Sequence, residues 1–449
     1  MATLKLTKKY DRYPKYKDSG VEWFGKLPDD WEVGPVRSVL SERKDKNTNL
    51  VTDNILSVMK DVGVIRYADK GDVGNKSSDR PENYKIVHPG DIVLNSMNLV
   101  IGSVGQSKEL GVTSSVYIIY YPRNQQTSAE YYHCLFRDKS WQRTLGRLGR
   151  GIMELRESIK VQDLKIEPVP IPPLETQQKI AVYLDEKTAL MDAIIEKKKK
   201  QIDLLREKRA AIINRAVTKG LPARRSLGEG GDQNAKLIDS GIEWIGKIPE
   251  GWEVKKLKYV AQVEGGYAFS SDSYTSDSVT GVLLVRITEV KEQIAEECRR
   301  YVPSDLWDTL KTFRVQQGDI LITLTGYVGE TSMFPLQEKA LLNQRAGKIQ
   351  SSPNIHPKFL YYCTKPDAFR TFLSLRSKSS AQENVSNSDI GEFVLPFPPK
   401  REQQEIAEHI EEQCEKYLRA QDMLERSVAL LQEFKSALIS HVVTGKVKV

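Results

Sequence analysis

Long apolar runs are missing from this chain of 449 residues. No stretch approaches the ~18 consecutive apolar residues that a membrane helix needs. The opening segment, MATLKLTKKYDRYPKYKD, has no apolar core, so no secretory leader is expected. Cysteine is scarce. Cys134, Cys298, Cys363 and Cys414 are scattered, with no CxxC pair. That excludes a disulfide scaffold or a zinc ribbon and fits a reducing, cytoplasmic setting. His88, His133, His356, His409 and His441 show no metal-ligand spacing. His409 and Cys414 are five apart on a helical stretch and do not share a face well. No metal is expected.

Catalytic signatures are missing too. The chain has no GxxxxGKS/T phosphate loop, no Asp- or Asn-Pro-Pro-aromatic segment, no GxSxG elbow and no HExxH helix. One loose nuclease-like spacing joins Pro28-Asp29 to Glu42-Arg43-Lys44. The matching Pro249-Glu250 has no such partner, so a chance pattern is expected. GRLGRG at 146–151 follows a helical stretch rather than a strand and reads as a turn. No catalytic residue and no cofactor of the chain's own are expected.

What is present is ordinary and repeated. Apolar residues make up 39% and charged residues 28%, with a net charge of +7. That is a folded composition, and a mild positive excess permits a nucleic-acid partner without demanding one. The length implies two to four folded units at about 100–200 residues each. DSGVEWFGKLPDDWEV at 18–33 returns as DSGIEWIGKIPEGWEV at 239–254, with eleven of sixteen positions identical. GDI at 90–92 returns at 318–320, and GSVG at 102–105 resembles GYVG at 326–329. DLKIEPVPIPP (163–173) matches DIGEFVLPFPP (389–399). Gln177-Gln178 matches Gln403-Gln404, and Val217-Thr218 matches Val443-Thr444. The ends of each copy repeat while 34–160 and 255–385 diverge. Shared scaffolding with two different specificities gives this pattern.

Each copy has two parts. The first mixes short strand-like runs (91–95, 115–121, 282–287, 320–324) with helical stretches near 128–147 and 356–375. An α+β domain follows. The second is one long helix, opened by Pro172-Pro173 or Pro398-Pro399 and closed near Gly220 or Gly445. At 1.5 Å per residue each helix spans roughly 65 Å, which suggests a coiled coil.

A heptad seam supports that reading. Leu184, Met191, Ile195, Ile202, Leu205 and Ile212 share a phase with Ile410, Tyr417, Leu424, Val428, Leu431 and Leu438. Residues 175–219 carry 11 basic and 7 acidic groups, whereas 401–445 carry 5 and 9. Opposite charge favours pairing of the two helices with each other, and an antiparallel pair places one globular domain at each end. The alternative is two separate amphipathic helices, each packed on its own domain. The boundaries read as domain 1 over 1–173, the central helix over 174–220, a linker over 221–235, domain 2 over 236–399, and the C-terminal helix over 400–449.

These segments carry a family resemblance. From about Tyr16 to Lys446 the chain resembles the specificity subunit of type I restriction-modification systems. The two DSG…WEV openings resemble the start of that family's target-recognition domains. VPIPPLETQQKIA and LPFPPKREQQEIA resemble its junctions into the long helices. Thr176 is a small departure, where Glu402 is closer to the usual residue. The resemblance implies a non-catalytic subunit whose two pseudo-symmetric target-recognition domains each read half of a split double-stranded DNA site. It implies that the paired helices act as a ruler and a dock for methyltransferase subunits, usually two, joined by restriction subunits. S-adenosylmethionine, ATP and magnesium then belong to those partners, which methylate adenine and cut DNA.

Half-site readers need polar and basic groups facing base edges and phosphates. In the first divergent middle the candidates are Asn95, Ser96, Asn98, Arg147, Arg150, Arg156 and Ser158. In the second they are Tyr267, Ser270, Thr325, Tyr327, Arg376, Lys378, Gln382 and Asn384. A stand-alone DNA enzyme and a scaffold that binds no nucleic acid are the competing classes. Magnesium-dependent cutting by the pure chain would favour the first, and absence of any DNA shift the second.

Overall fold

The computed structural model describes residues 10–71, 81–148, 158–221, 236–275, 279–291, 294–377 and 384–449. They divide into two compact units, 1–199 with 425–449, and 200–424. Each unit holds one mixed domain and one half of each long helix.

Unit 1 is built on a four-stranded antiparallel sheet. Its strands are β1 (Leu40–Glu42), β2 (Ile92–Asn95), β3 (Val104–Gln106) and β4 (Tyr117–Pro122), in the order β1-β4-β2-β3. One face is covered by α1 (Ala129–Phe136) and α2 (Lys139–Thr144). The single helix expected near 128–147 is therefore two. Asp138 caps the second by accepting the Ser140 N–H at 2.7 Å, which restarts the helix. The divergent middle adds two antiparallel pairs, Leu56–Met59 with Gly63–Arg66 and Lys85–Val87 with Gly111–Thr113, and the repeated ends add Tyr16–Asp18 with Lys26–Pro28 and Glu32–Pro35 with Pro168–Ile171. The first long helix, α3 (Leu174–Lys219), follows the Pro-Pro pair.

Unit 2 repeats the central sheet. Its strands are β5 (Ala261–Gly265), β6 (Ile320–Thr323), β7 (Thr331–Met333) and β8 (Ala346–Ser351), in the matching order β5-β8-β6-β7. The helical stretch near 356–375 is again split, into α4 (Pro357–Cys363) and α5 (Asp367–Ser374), with Pro366 at the break. The divergent middle here makes a second four-stranded sheet instead of two small pairs. Within it Gly281–Val285 runs parallel to Ala340–Leu342. The second long helix is α6 (Lys400–Val443).

The repeated motifs are the joints between domain and helix. Gln177 is buried, with Oε1 accepting the Ser128 N–H at 2.8 Å and Nε2 donating to the Pro172 carbonyl at 2.8 Å. Gln403 does the same with the His356 N–H (2.7 Å) and the Pro398 carbonyl (2.8 Å). Ser128 and His356 are the N-caps of α1 and α4, so each glutamine ties a long helix to its domain. Gly445, at φ +67°, lies so close to domain 1 that a Cβ would sit 2.4 Å from Pro28 Cδ and 3.1 Å from the Trp31 ring. Gly220, at φ +72°, meets Trp252 of domain 2 in the same way, at 3.3 Å.

In unit 1 the first half of α3 lies against the last half of α6, with Leu184 and Leu438 in one core. In unit 2 the last half of α3 lies against the first half of α6, through Ile213, Ala216, Ile406, Ile410 and Cys414. The helices are thus antiparallel. Leu184, Ile195, Ile202, Ile410, Val428 and Leu438 are buried. Met191, Leu205, Ile212, Tyr417, Leu424 and Leu431 are half-buried. Ile213 is more deeply buried than Ile212, because that end of α3 also packs on domain 2 beside Ile245 and Trp252. Each fully buried seam side chain contributes roughly 1.5–3 kcal/mol, so the apolar seam outweighs any surface ion pair at about 0–1 kcal/mol. Among the described residues, no helix is long and apolar enough to cross a membrane.

Candidate nucleic-acid interface

The two central sheets present equivalent turns. In unit 1 the turn between β2 and β3 carries three of the candidates. Asn95 Oδ1 accepts the Met97 N–H at 3.1 Å, which bends the chain out of the strand. Ser96 is buried and its Oγ donates to the Val116 carbonyl at 2.8 Å, so it braces the turn from below. Asn98 is exposed at the tip. The Ile159 N–H donates to the Ser96 carbonyl at 3.0 Å, which brings Ser158 beside the turn. Met97 and Ile101 are also exposed there.

In unit 2 the turn between β6 and β7 is laid out alike. The Val385 N–H donates to the Leu324 carbonyl at 3.0 Å, the counterpart of Ile159 and Ser96. Thr325 Oγ1 donates to Asn384 Oδ1 at 3.4 Å. Tyr327 stands at the tip, 90% exposed. Arg376 is exposed and its guanidinium lies 3.7 Å above the Phe372 ring.

Other candidates are placed differently. Arg147 donates to Glu167 Oε2 and to the Thr144 carbonyl, both at 2.5 Å, so its charge is already matched by a buried carboxylate. Tyr267 packs edge-on against Phe269 and near Phe313, beside the second sheet of unit 2. Ser270 Oγ accepts the Asp272 N–H at 3.4 Å and shapes a local turn. Arg150, Arg156, Lys378 and Gln382 lie outside the described residues. The sequence criteria of polar, basic and aromatic character passed over Leu375, which is 81% exposed beside Tyr327. Nothing in its sequence neighbourhood distinguishes it from a core leucine of α5.

Several nearby cations are neutralised internally. Lys256 and Lys258 both donate to Glu392, whose carboxyl they hold down to about 2. The nuclease-like pattern is taken up the same way. Glu42 pairs with Lys165 at 2.8 Å and Asp29 lies exposed in a turn. The described part of GRLGRG, Gly146 to Leu148, belongs to a short 3₁₀ turn.

These features define a class: a duplicated protein in which one domain-and-helix unit occurs twice, with different side chains at equivalent tips. A family model described as the type I restriction modification DNA specificity domain matches residues 28–204 and 249–415. The chain belongs to that family. It is 25% identical over 435 residues to the type I restriction enzyme MjaVIII specificity subunit of Methanocaldococcus jannaschii, covering 94% of each chain. It is 22% identical to the EcoKI specificity subunit of Escherichia coli, covering 86% of this chain and 83% of that one. The fold matches a solved chain described as "Structural basis underlying complex assembly and conformational transition of the type I R-M system". That match has a TM-score of 0.61 and 14% identity, over 93% of this chain and 98% of the other.

Proposed function

We propose that this chain is the non-catalytic DNA-specificity subunit of a type I restriction-modification complex. Each domain reads one half of a bipartite site in double-stranded DNA. The helix pair sets the spacing and docks two methyltransferase subunits, which restriction subunits join. S-adenosylmethionine, ATP and magnesium serve those partners, in the cytoplasm.

One observation carries the reading. Two equivalent turns, braced by equivalent backbone bonds, offer Asn98 in one domain and Tyr327 in the other. A common frame with different tips is what two half-site readers require, since an amide can bind base edges bidentately and an aromatic face cannot. Exposed Leu190 and Leu430 in unit 1, and Leu204 and Met423 in unit 2, support docking on the outer helix faces.

The test is a gel shift with the chain assembled on its methyltransferase subunits. Affinity for a split-site duplex should fall steeply with salt, because phosphate contacts release counterions. Adenine methylation should require both halves of the site. Equal methylation of duplexes lacking one half would refute the two-reader assignment.

A further inference from the structure

Tyr327 and Leu375 line one depression, together with Val328, Arg370 and Thr371. Both are nearly bare, at 90% and 81% exposure. Two large apolar side chains left together in water on a folded domain mark a contact surface.

The tyrosine is held out firmly. Val328, the next residue, is buried and anchors the turn. Gly326 and Gly329 take φ +80° and +85°, which only a residue without a Cβ adopts cheaply. A Cβ on Gly329 would sit 3.1 Å from Leu373, so the turn lies directly against α5. Thr323 Oγ1 donates to the Tyr327 carbonyl at 2.5 Å. An aromatic presented on a fixed turn loses little freedom when it binds.

The charges around the depression balance, two acids against two arginines, so the bare apolar pair sets its character. The nearby acids, Glu330 and Asp367, are both paired with Arg370. Arg376, next to Leu375, makes no ion pair among the described residues and is stacked on Phe372. Thr325 and Asn384 supply a polar pair on the same turn. At the unit 1 tip the exposed apolar side chains are Met97 and Ile101, at 42% and 53%, so that turn offers a less bare pair and no aromatic.

We propose that Tyr327 and Leu375 form an apolar wedge that enters duplex DNA and opens one base step in the half-site read by the second domain. This rests on the DNA-reading role proposed above. Apolar side chains inserted at a step unstack it and kink the duplex. Pyrimidine–purine steps yield most easily, so the second half-site should contain one, selected by deformability rather than by a hydrogen bond.

The test uses the chain assembled with its methyltransferase subunits and duplexes carrying 2-aminopurine at successive positions of both half-sites. The wild-type complex should raise the fluorescence several-fold at one step of one half only. Tyr327→Ala with Leu375→Ala should abolish that rise and weaken binding about tenfold, the scale of one lost base-stacking contact. A duplex with a mismatch at that step should recover most of the affinity, which a general structural defect would not allow. Tyr327→Phe should keep the rise. Tight binding with flat wild-type fluorescence, or an unchanged rise in the double variant, overturns the wedge and leaves DNA reading standing. A wild-type complex that binds no duplex overturns the DNA-reading role and the wedge with it. A double variant that no longer assembles with the methyltransferase assigns the depression to a protein partner and also overturns the wedge.

Discussion

Lys435 Nζ lies 2.6 Å from both carboxylate oxygens of Asp192, joining α6 to α3 across the seam in unit 1. The repeat places Arg209 and Leu418 at the corresponding positions, so the pair has no counterpart in unit 2. The lysine side chain is only 17% exposed while the aspartate is 54% exposed. Asp192→Leu strands a largely buried ammonium and should cost about 1 kcal/mol, near the upper end for an exposed partner. The exchanged pair, Asp192→Lys with Lys435→Asp, should recover most of the loss. Chemical denaturation of all three variants measures the coupling, and a coupling of zero would show that the apolar seam alone sets the contact.

The two helix-end glycines should differ in sensitivity. Gly445→Ala forces a Cβ to 2.4 Å from the Pro28 ring, whereas Gly220→Ala meets Trp252 only at 3.3 Å. Both also carry the left-handed backbone cost. Gly445→Ala should lose about 2–3 kcal/mol and Gly220→Ala about 1 kcal/mol, by overpacking added to conformational strain. Thermal melts of the two variants check the order.

His133 is half-buried beside a cleft of about 1010 Å³ in unit 1. Burial first, then Arg137, push its imidazole down to about 3. The unfolded chain takes up a proton near pH 6.5 and the folded chain does not. Stability is therefore fully kept above that pH and declines as pH falls below it. His133→Gln should flatten the decline between about pH 6.5 and 5 by close to one proton. An unchanged slope would mean that the ring takes up its proton over the same pH range in the folded and unfolded chains.

The seam offers a functional prediction. Leu205→Asp with Leu431→Asp places two charges on half-buried seam positions. Burying charge is costly, so the helix pair should loosen and methyltransferase docking should fall. Co-purification at full strength would show that docking does not depend on the seam. Removing one turn from both helices should likewise shorten the unread spacer of the target, and an unchanged spacer would count against the ruler.

What the sequence disclosed follows from where selection for packing is local and repeated. Trp31 with Gly445, and Trp252 with Gly220, form the same joint twice, so their motifs recur legibly. The seam was readable because a helix puts every third or fourth residue on one face. The parallel pairing of Gly281–Val285 with Ala340–Leu342 was not, since it joins segments some fifty residues apart and no local pattern encodes it. The site shows the same division. Asn98 and Tyr327 are exposed at equivalent tips. Ser96 and Arg147 carry the same polar character but are occupied by Val116 and Glu167, and composition does not reveal a partner. Leu375 was passed over because an exposed leucine and a core leucine look alike in a sequence.

The most direct test is a genome-wide map of modified bases in host cells with this gene present and deleted. A split motif that loses adenine methylation on deletion, and regains it on complementation, is the expected result, and it would give both half-sites and the spacer. Complementation with Tyr327→Ala and Leu375→Ala should relax one half of that motif only. An unchanged map, in cells whose methyltransferase subunits are expressed and co-purify with this chain, would contradict the specificity role.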